Sequence, residues 1–310
     1  MSFTTEIKQE IASLELNKNC MKAQLSALIQ CTASLTFSSN GLTLVSRSES
    51  PTTSKRVVAL FKKLYKSKTE LTINKKTNLK KNNVYTVEVY DDVKMILEDL
   101  GLYTESKGLL SHPTYDIVSN KNAMQAYIGG SFLAYGSCND PKNSNYHLEI
   151  SLSDIECANF VVKLLEKCGF LAKLTKRRNK YIVYFKKADV IADLLKMVGA
   201  YNSCLKFENI RIDRDFVNSK RRIENCYIAN ERKTLAAADA QLEYMFKIKE
   251  AKKENKLDPK LREVYDLRIK YQDASLNEIC DKYEKIYGTS ISKSGLKHRL
   301  NKIQVIAEKL

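Results

Sequence analysis

The chain has 310 residues, more than one hydrophobic core ordinarily serves, so two or three domains are the starting expectation. A hydrophobic fraction of 44% can fill such cores, while apolar runs broken by Lys or Glu well short of the roughly 20 residues a bilayer demands exclude a membrane span. Lys plus Arg is 52 against 36 for Asp plus Glu, and the resulting charge of +16 favours polyanions, nucleic acid first, although genome base bias alone also enriches lysine. The N-terminal segment carries Glu6, Glu10 and Glu15 and no apolar signal core, so a cytoplasmic protein is expected. Eight cysteines without a Cys-x-x-Cys pair, and His112, His147 and His298, make no plausible metal set; reduced thiols and no cofactor are expected.

Thr4 to Leu16 spaces Ile7, Ile11 and Leu14 as a short amphipathic helix. From Asn19 as its cap, CMKAQLSALIQCTASL predicts a helix buried on most of its surface through Met21, Leu25, Leu28, Ile29 and Leu35. Gly41 to Arg47 alternates as a strand, and Thr53 to Lys66 returns to helical period. Leu71 to Asn74 and Val84 to Tyr90 read as two strands around a turn rich in lysine, with Lys75, Lys76, Lys80 and Lys81. A short helix, Asp91 to Leu100, stops at Gly101.

After a connection holding Pro113, the order helix, strand, helix, strand, strand, helix returns. Lys121 to Ser137 is the helix, Tyr146 to Leu152 the strand, and Asp154 to Cys168 the second helix. Phe170 to Thr175 and Tyr181 to Phe185 form the hairpin, and Ala188 to Val198 is the last helix. An internal duplication explains the repeat, with halves at about 19–101 and 121–200 of a domain spanning 1–200. The stretch Ala126 to Pro141, AYIGGSFLAYGSCNDP, reads either as a glycine-rich loop or as a helix whose Gly129 and Gly130 admit a close neighbour. The duplication pairs it with CMKAQLSALIQCTASL, and Gly129, Gly130 and Ala27 are expected where the two helices meet.

Leu25 to Ala33, LSALIQCTA, and Ile128 to Gly136, IGGSFLAYG, resemble the LAGLIDADG helix of homing endonucleases, whose fold is this duplicated unit. In cleaving members an acid before the terminal glycine of each helix binds divalent metal to neutralise phosphate charge and activate water. The matching positions here are Thr32 and Tyr135, and the motif's other acid position holds Gln30 and Leu133, so no catalytic residue is assigned. Asp140 is the nearest acid and has no counterpart after Ala33. Such a domain without its acids keeps two sheets forming a saddle, whose hairpin residues Lys176, Arg177, Arg178 and Lys180 either touch phosphate or serve solubility.

Residues 201–257 read as a helical linker, with Lys220, Arg221, Arg222, Asn225, Asn230, Arg232 and Lys233 giving a basic, amide-rich face. A helical module follows at 258–310. Pro259 opens its first helix, and Ser275 with Glu278 forms a capping box for the second. Ser292 caps the last, whose stripe Leu296, Leu300, Ile303, Ile306 and Ala307 faces inward. The pattern is a helix-turn-helix, and Ser292, Lys293, Ser294, Lys297, His298, Arg299, Asn301 and Lys302 are its expected DNA-binding residues. Any amphipathic helix of a basic protein also shows such a face.

Together, AYIGGSFLAYGSCNDP, YHLEI, ENCYIANERKT and SKSGLKHRLNKI resemble the signature segments of the WhiA family of bacterial proteins. The expected fold is therefore α+β: a duplicated LAGLIDADG homing-endonuclease-like domain followed by an all-α helix-turn-helix domain. The resemblance implies non-catalytic binding to double-stranded DNA in the nucleoid and regulation of transcription in cell division and chromosome segregation, or of sporulation in relatives. It leaves room for a regulatory partner protein and for no membrane role. The rival expectations are an architectural or division-machinery adaptor holding DNA loosely and a metal-dependent nuclease. One departure from the family pattern is Tyr135, a large residue where a small one is expected beside the helix contact.

Overall fold

The structure, a computed structural model, describes residues 1–38, 41–75, 83–143 and 145–310. The chain divides into two compact units, Met1–Asp213 and Arg214–Leu310, with the division falling inside the stretch expected to be a linker. Lys76, Lys80 and Lys81 of the first hairpin turn lie outside the described residues.

The first unit opens with helix α1 (Phe3–Ser13), whose Phe3, Ile7 and Ile11 are buried. Helix α2 (Lys18–Thr32) follows, capped by Asn17 rather than Asn19: the Asn17 side chain accepts from the Cys20 N–H at 2.9 Å. Next come β1 (Ala33–Ser38), β2 (Gly41–Ser48), α3 (Pro51–Tyr65), β3 (Thr69–Lys75), β4 (Asn83–Val89) and α4 (Val93–Asp99). A two-residue pair, β5 (Tyr103–Thr104) and β6 (Gly108–Leu109), bridges to the second half. That half repeats the order as α5 (Lys121–Tyr135), β7 (Gly136–Cys138), β8 (Leu148–Leu152), α6 (Ile155–Lys167), β9 (Lys173–Arg177), β10 (Lys180–Phe185) and α7 (Ala188–Met197). Each half therefore has one strand more than its sequence pattern shows. Helices α2 and α5 end early, and the chain turns straight into β1 and β7.

The two sheets are built alike, with strand orders β1-β2-β4-β3 and β7-β8-β10-β9, all neighbours antiparallel. One face of each sheet is buried, through Leu44, Val87 and Val89 in the first and Leu148, Ile150, Leu152, Val183 and Phe185 in the second. Side chains alternate across a strand, yet Thr43, Val45 and Thr86 of the first sheet and Ile182 of the second are buried on the opposite face as well, so the central strands are covered on both sides there. Between β9 and β10 the chain turns through Arg178 and Asn179, both left-handed at φ 47° and 60°. Two consecutive positive φ values match the twist of a two-residue hairpin, which keeps this basic tip tight.

Helices α2 and α5 pack side by side at the centre, and only one of the two expected glycines makes the close approach. A Cβ on Gly130 would stand 2.5 Å from the Gln24 carbonyl oxygen and 2.9 Å from the Ala27 Cβ. Gly129 faces α1 instead, where a Cβ would meet the Ile11 side chain at 3.4 Å, an ordinary contact. Several buried polar groups around the pair are matched: Arg56 Nε donates to Gln24 Oε1 at 2.7 Å, Ser26 Oγ to the Leu100 carbonyl at 2.9 Å, and Thr53 Oγ1 to the Leu133 carbonyl at 2.8 Å. Tyr135 does not crowd this contact. It is the last residue of α5 and is exposed, with the Lys180 ammonium 5.0 Å from its ring centroid.

Helix α8 (Tyr201–Glu250) is a single 50-residue element that crosses the division between the units. No Pro or Gly interrupts it. In the second unit its Met245 and Ile248 join a core with α9 (Pro259–Lys270), α10 (Leu276–Tyr287) and α11 (Lys293–Glu308). Among the described residues no helix is long and apolar enough to cross a membrane, and all eight cysteines are free thiols.

Candidate nucleic-acid interface

Helices α10 and α11 are set by their ends. Ser275 Oγ accepts from the Glu278 N–H at 3.2 Å while the Glu278 carboxylate accepts from the Ser275 N–H at 2.7 Å, a closed capping box. Those bonds hold the Glu278 carboxyl below its ordinary pKa. Gly288 ends α10 at φ 66°, a backbone state that costs a side chain about 1 kcal/mol or more. Four residues later Ser292 caps α11, accepting from the Gly295 N–H at 3.1 Å and bonding Ser294 Oγ at 3.0 Å. Leu296, Leu300, Ile303 and Ala307 are buried. On the opposite face Lys293, Ser294, Lys297, His298, Asn301 and Lys302 are all exposed and follow one another around a continuous arc.

Arg299 is different. Three residues after Leu296 and four before Ile303, it lies at the edge of the apolar stripe. Its guanidinium donates to Tyr283 Oη at 2.9 Å, stands 3.7 Å from Glu263, and stacks 5.3 Å from the Tyr283 ring centroid. Tyr283 in turn donates to Glu263. The arrangement ties α11 to α9 and α10, so the expectation of Arg299 as a DNA contact gives way to a role inside the domain. The sequence carried a signal for this in the phase of Arg299 beside the stripe. Arg268, which no sequence motif marks, is 1% exposed, on the inward face of α9 beside Leu267. Its Nη1 donates to the carbonyls of Tyr271, Gln272 and Ala274, shaping the turn into α10, and burial lowers its pKa.

The other sequence-chosen cations are exposed. Lys176, Arg177, Arg178 and Lys180 line the β9–β10 hairpin; Lys220, Arg221 and Arg222 lie on α8, where Lys220 pairs loosely with Glu224 at 4.0 Å. The first group belongs to one unit and the second to the other.

The positions where a nuclease of this architecture needs carboxylates do not fit a divalent metal. Thr32 Oγ1 is within 2.7 Å of both the Leu28 carbonyl and Ser46 Oγ, and Gln30 Nε2 donates to the Ser111 carbonyl at 2.9 Å. Leu133 is fully buried and Tyr135 offers a neutral phenol whose pKa is raised by burial. Asp140 instead accepts the Lys142 N–H at 2.9 Å in a loop turn. Among the described residues no group of three or more His, Cys, Asp or Glu side chains converges as a metal site.

Fold and site together define a class: a duplicated LAGLIDADG-like α+β domain whose acid positions are occupied by other residues, joined to a helix-turn-helix domain. Family models match the whole of that plan, as the WhiA N-terminal LAGLIDADG-like domain over residues 18–103, the WhiA LAGLIDADG-like domain over 124–217 and the WhiA C-terminal HTH domain over 221–307. The probable cell division protein WhiA of Bacillus cytotoxicus is 41% identical over 310 residues, covering 100% of this chain and 97% of that one. A protein of the same name from Bacillus cereus is 40% identical with the same coverage. The chain belongs to the WhiA family. In fold it is similar to the full-length DUF199/WhiA crystal structure from Thermatoga maritima, with a TM-score of 0.59 and 21% identity over 100% of this chain and 99% of that one. The N-terminal LAGLIDADG domain of DUF199/WhiA also matches, with a TM-score of 0.50 and 23% identity over 64% and 90% of the two chains.

Proposed function

We propose that the protein is a non-catalytic regulator that reads double-stranded DNA through α11. The observation that carries this reading is the continuous exposed arc Lys293, Ser294, Lys297, His298, Asn301 and Lys302 on a helix whose other side is fixed by packing and by the Arg299 ties. Lysine and asparagine at the start of such a helix reach base edges and phosphates in the major groove, while α10 crosses the backbone. Ser292 serves as the cap that aims the helix. Lys176, Arg177, Arg178 and Lys180, with Lys220, Arg221 and Arg222, supply secondary phosphate contacts. The relatives' name supports cell division as the process; regulation of transcription, a part in chromosome segregation and a place in the nucleoid belong to the same proposal. Catalysis has no part in this reading, because Thr32 and Tyr135 cannot supply carboxylates to a metal.

Replacing both Lys297 and Asn301 by Ala is expected to weaken duplex binding at least about tenfold in an anisotropy titration. With about six phosphates contacted, affinity should fall on the order of a thousandfold between roughly 50 and 200 mM salt. Unchanged affinity in the double variant overturns the assignment of α11.

One observation supports a second reading, an adaptor that holds DNA loosely and binds a division protein. On α8, Phe216, Ile223 and Tyr227 are 71%, 68% and 70% exposed and share a helix face. Genome-wide footprinting separates the two: an adaptor gives broad coverage without a shared site.

A further inference from the structure

The first unit contains a cavity of about 650 Å³ between α1, the β2–α3 junction and the end of α5. Its lining includes Lys8, Arg47, Ser48, Ser50, Thr52 and Tyr135. Lys8 is the unusual member. It is part-buried, and its ammonium has one hydrogen-bond acceptor, the Ala134 carbonyl at 3.5 Å, with no ion pair among the described residues. Burial alone acts on it and pushes its pKa down to about 8. An ammonium taken from water without a counter-charge is costly, and a bound anion would offset that cost.

The rest of the lining is suited to one kind of anion. Arg47 adds a second cation whose Nη1 spends one weak bond on Ser34 Oγ at 3.3 Å. Ser48, Ser50 and Thr52 bring hydroxyls, and the 15-residue helix α3 begins here with Ser50 as its cap. Two cations and several donors match a group with many acceptor oxygens and nearly two negative charges. The volume far exceeds such a head group, and Pro51, Val84, Ala134 and the Tyr135 ring give apolar wall for an organic body. Glu49, exposed at the rim, carries a negative charge that also acts on the Tyr135 phenol and disfavours a second anionic group on the ligand.

We propose that this cavity is a binding site for a small organic phosphate monoester, with Lys8 as the counter-ion of its phosphate. The cavity belongs to the first unit and α11 to the second, so the proposal stands or falls independently of the DNA-reading assignment. It would let a phosphorylated small molecule act on the LAGLIDADG-like unit.

Phenyl phosphate is a suitable probe, used with the full-length protein. Competitive acetylation followed by peptide mass spectrometry reads the amine of Lys8 across pH 6.5 to 10. Without probe the labelling midpoint of Lys8 should lie near pH 8. Saturating phenyl phosphate should raise that midpoint by at least about one unit, a tenfold slowing at pH 8, while exposed Lys62 and Lys63 stay unchanged. In Lys8→Met, which keeps an apolar stem in the same space, the thermal stabilisation that phenyl phosphate gives the parent protein should vanish while the unliganded variant melts no lower. A Lys8 midpoint indifferent to phenyl phosphate overturns the proposal. So does protection by duplex DNA but not by phenyl phosphate, since the cavity is then a backbone contact.

Discussion

Gly129 and Gly130 are neighbours in one helix, yet the structure assigns them opposite responses to alanine. Replacing either gains about 1 kcal/mol of helix propensity. At Gly129 the new methyl meets Ile11 at 3.4 Å, so the gain should survive and unit 1 should melt roughly 1–4 °C higher. At Gly130 the methyl stands 2.5 Å from a backbone oxygen of α2 and 2.9 Å from the Ala27 Cβ, so the helices must part by the better part of an ångström. A gap of that size forfeits a quarter to a half of each dispersion contact along the seam, and overpacked cores typically lose about 1–3 kcal/mol. Taking the upper end and subtracting the propensity gain leaves about 2 kcal/mol, or roughly 4–8 °C in a unit of this size. Differential scanning calorimetry of the full chain resolves the two variants. A Gly130→Ala protein melting at or above the parent temperature would falsify the close approach of α2 and α5.

Three further outcomes follow from named contacts. Arg299→Ala should lower the stability of the second unit by about 1–3 kcal/mol in urea titration, because Glu263 loses its cation and Tyr283 Oη its donor, whereas Lys297→Ala should leave stability unchanged and reduce only DNA affinity. Lys8 has a folded pKa of about 8, below its unfolded value near 10.4, so the folded state holds fewer protons between those limits. Its destabilisation is full below pH 8 and fades as pH rises through that window; the advantage of Lys8→Met at pH 7 should therefore disappear by about pH 10, and a pH-independent difference refutes the assignment. Thr32→Asp removes a hydroxyl donor that is 9% exposed and buries a carboxylate, so it should destabilise by about 2–4 kcal/mol with no recovery in Mg²⁺, read as melting temperature with and without the ion.

Period and caps made much of the fold legible. The helices α3, α6 and α7 and the strands β2, β4 and β10 stand close to where apolar spacing puts them, because each buries one regular face. The capping box at Ser275 and Glu278 and the left-handed stop at Gly288 are local effects that a few residues decide. The strands β1 and β7 were hidden for a different reason. The Ala33 N–H still donates to Ile29 and the Gly136 N–H to Phe132, so each helix runs its hydrogen bonds into the first strand residue with no punctuation. Leu35, which extends the helical spacing of α2, in fact pairs across the sheet with Leu44. The candidate site divides the same way. The arc on α11 follows from its phase, but the commitment of Arg299 to Glu263 and Tyr283 depends on residues 36 and 16 positions away, which only the folded chain brings together.

The seam between α2 and α5 shows how a LAGLIDADG-like scaffold holds together with Thr32 and Tyr135 at its helix ends. Two carboxylates facing each other at the end of such a helix pair repel unless a cation lies between them. With Thr32 and Tyr135 in those positions the pair needs no counter-ion. Thr32 bonds to its own helix and to β2 through Ser46, and Gln30 bonds to the segment entering the second half. The polar end of α2 has thus become a joint of the core, while the approach at Gly130 depends on the α2 backbone and the small Ala27 side chain. Shape and catalysis draw on different atoms of the same two helices, so the acids can go while the paired sheets keep their places.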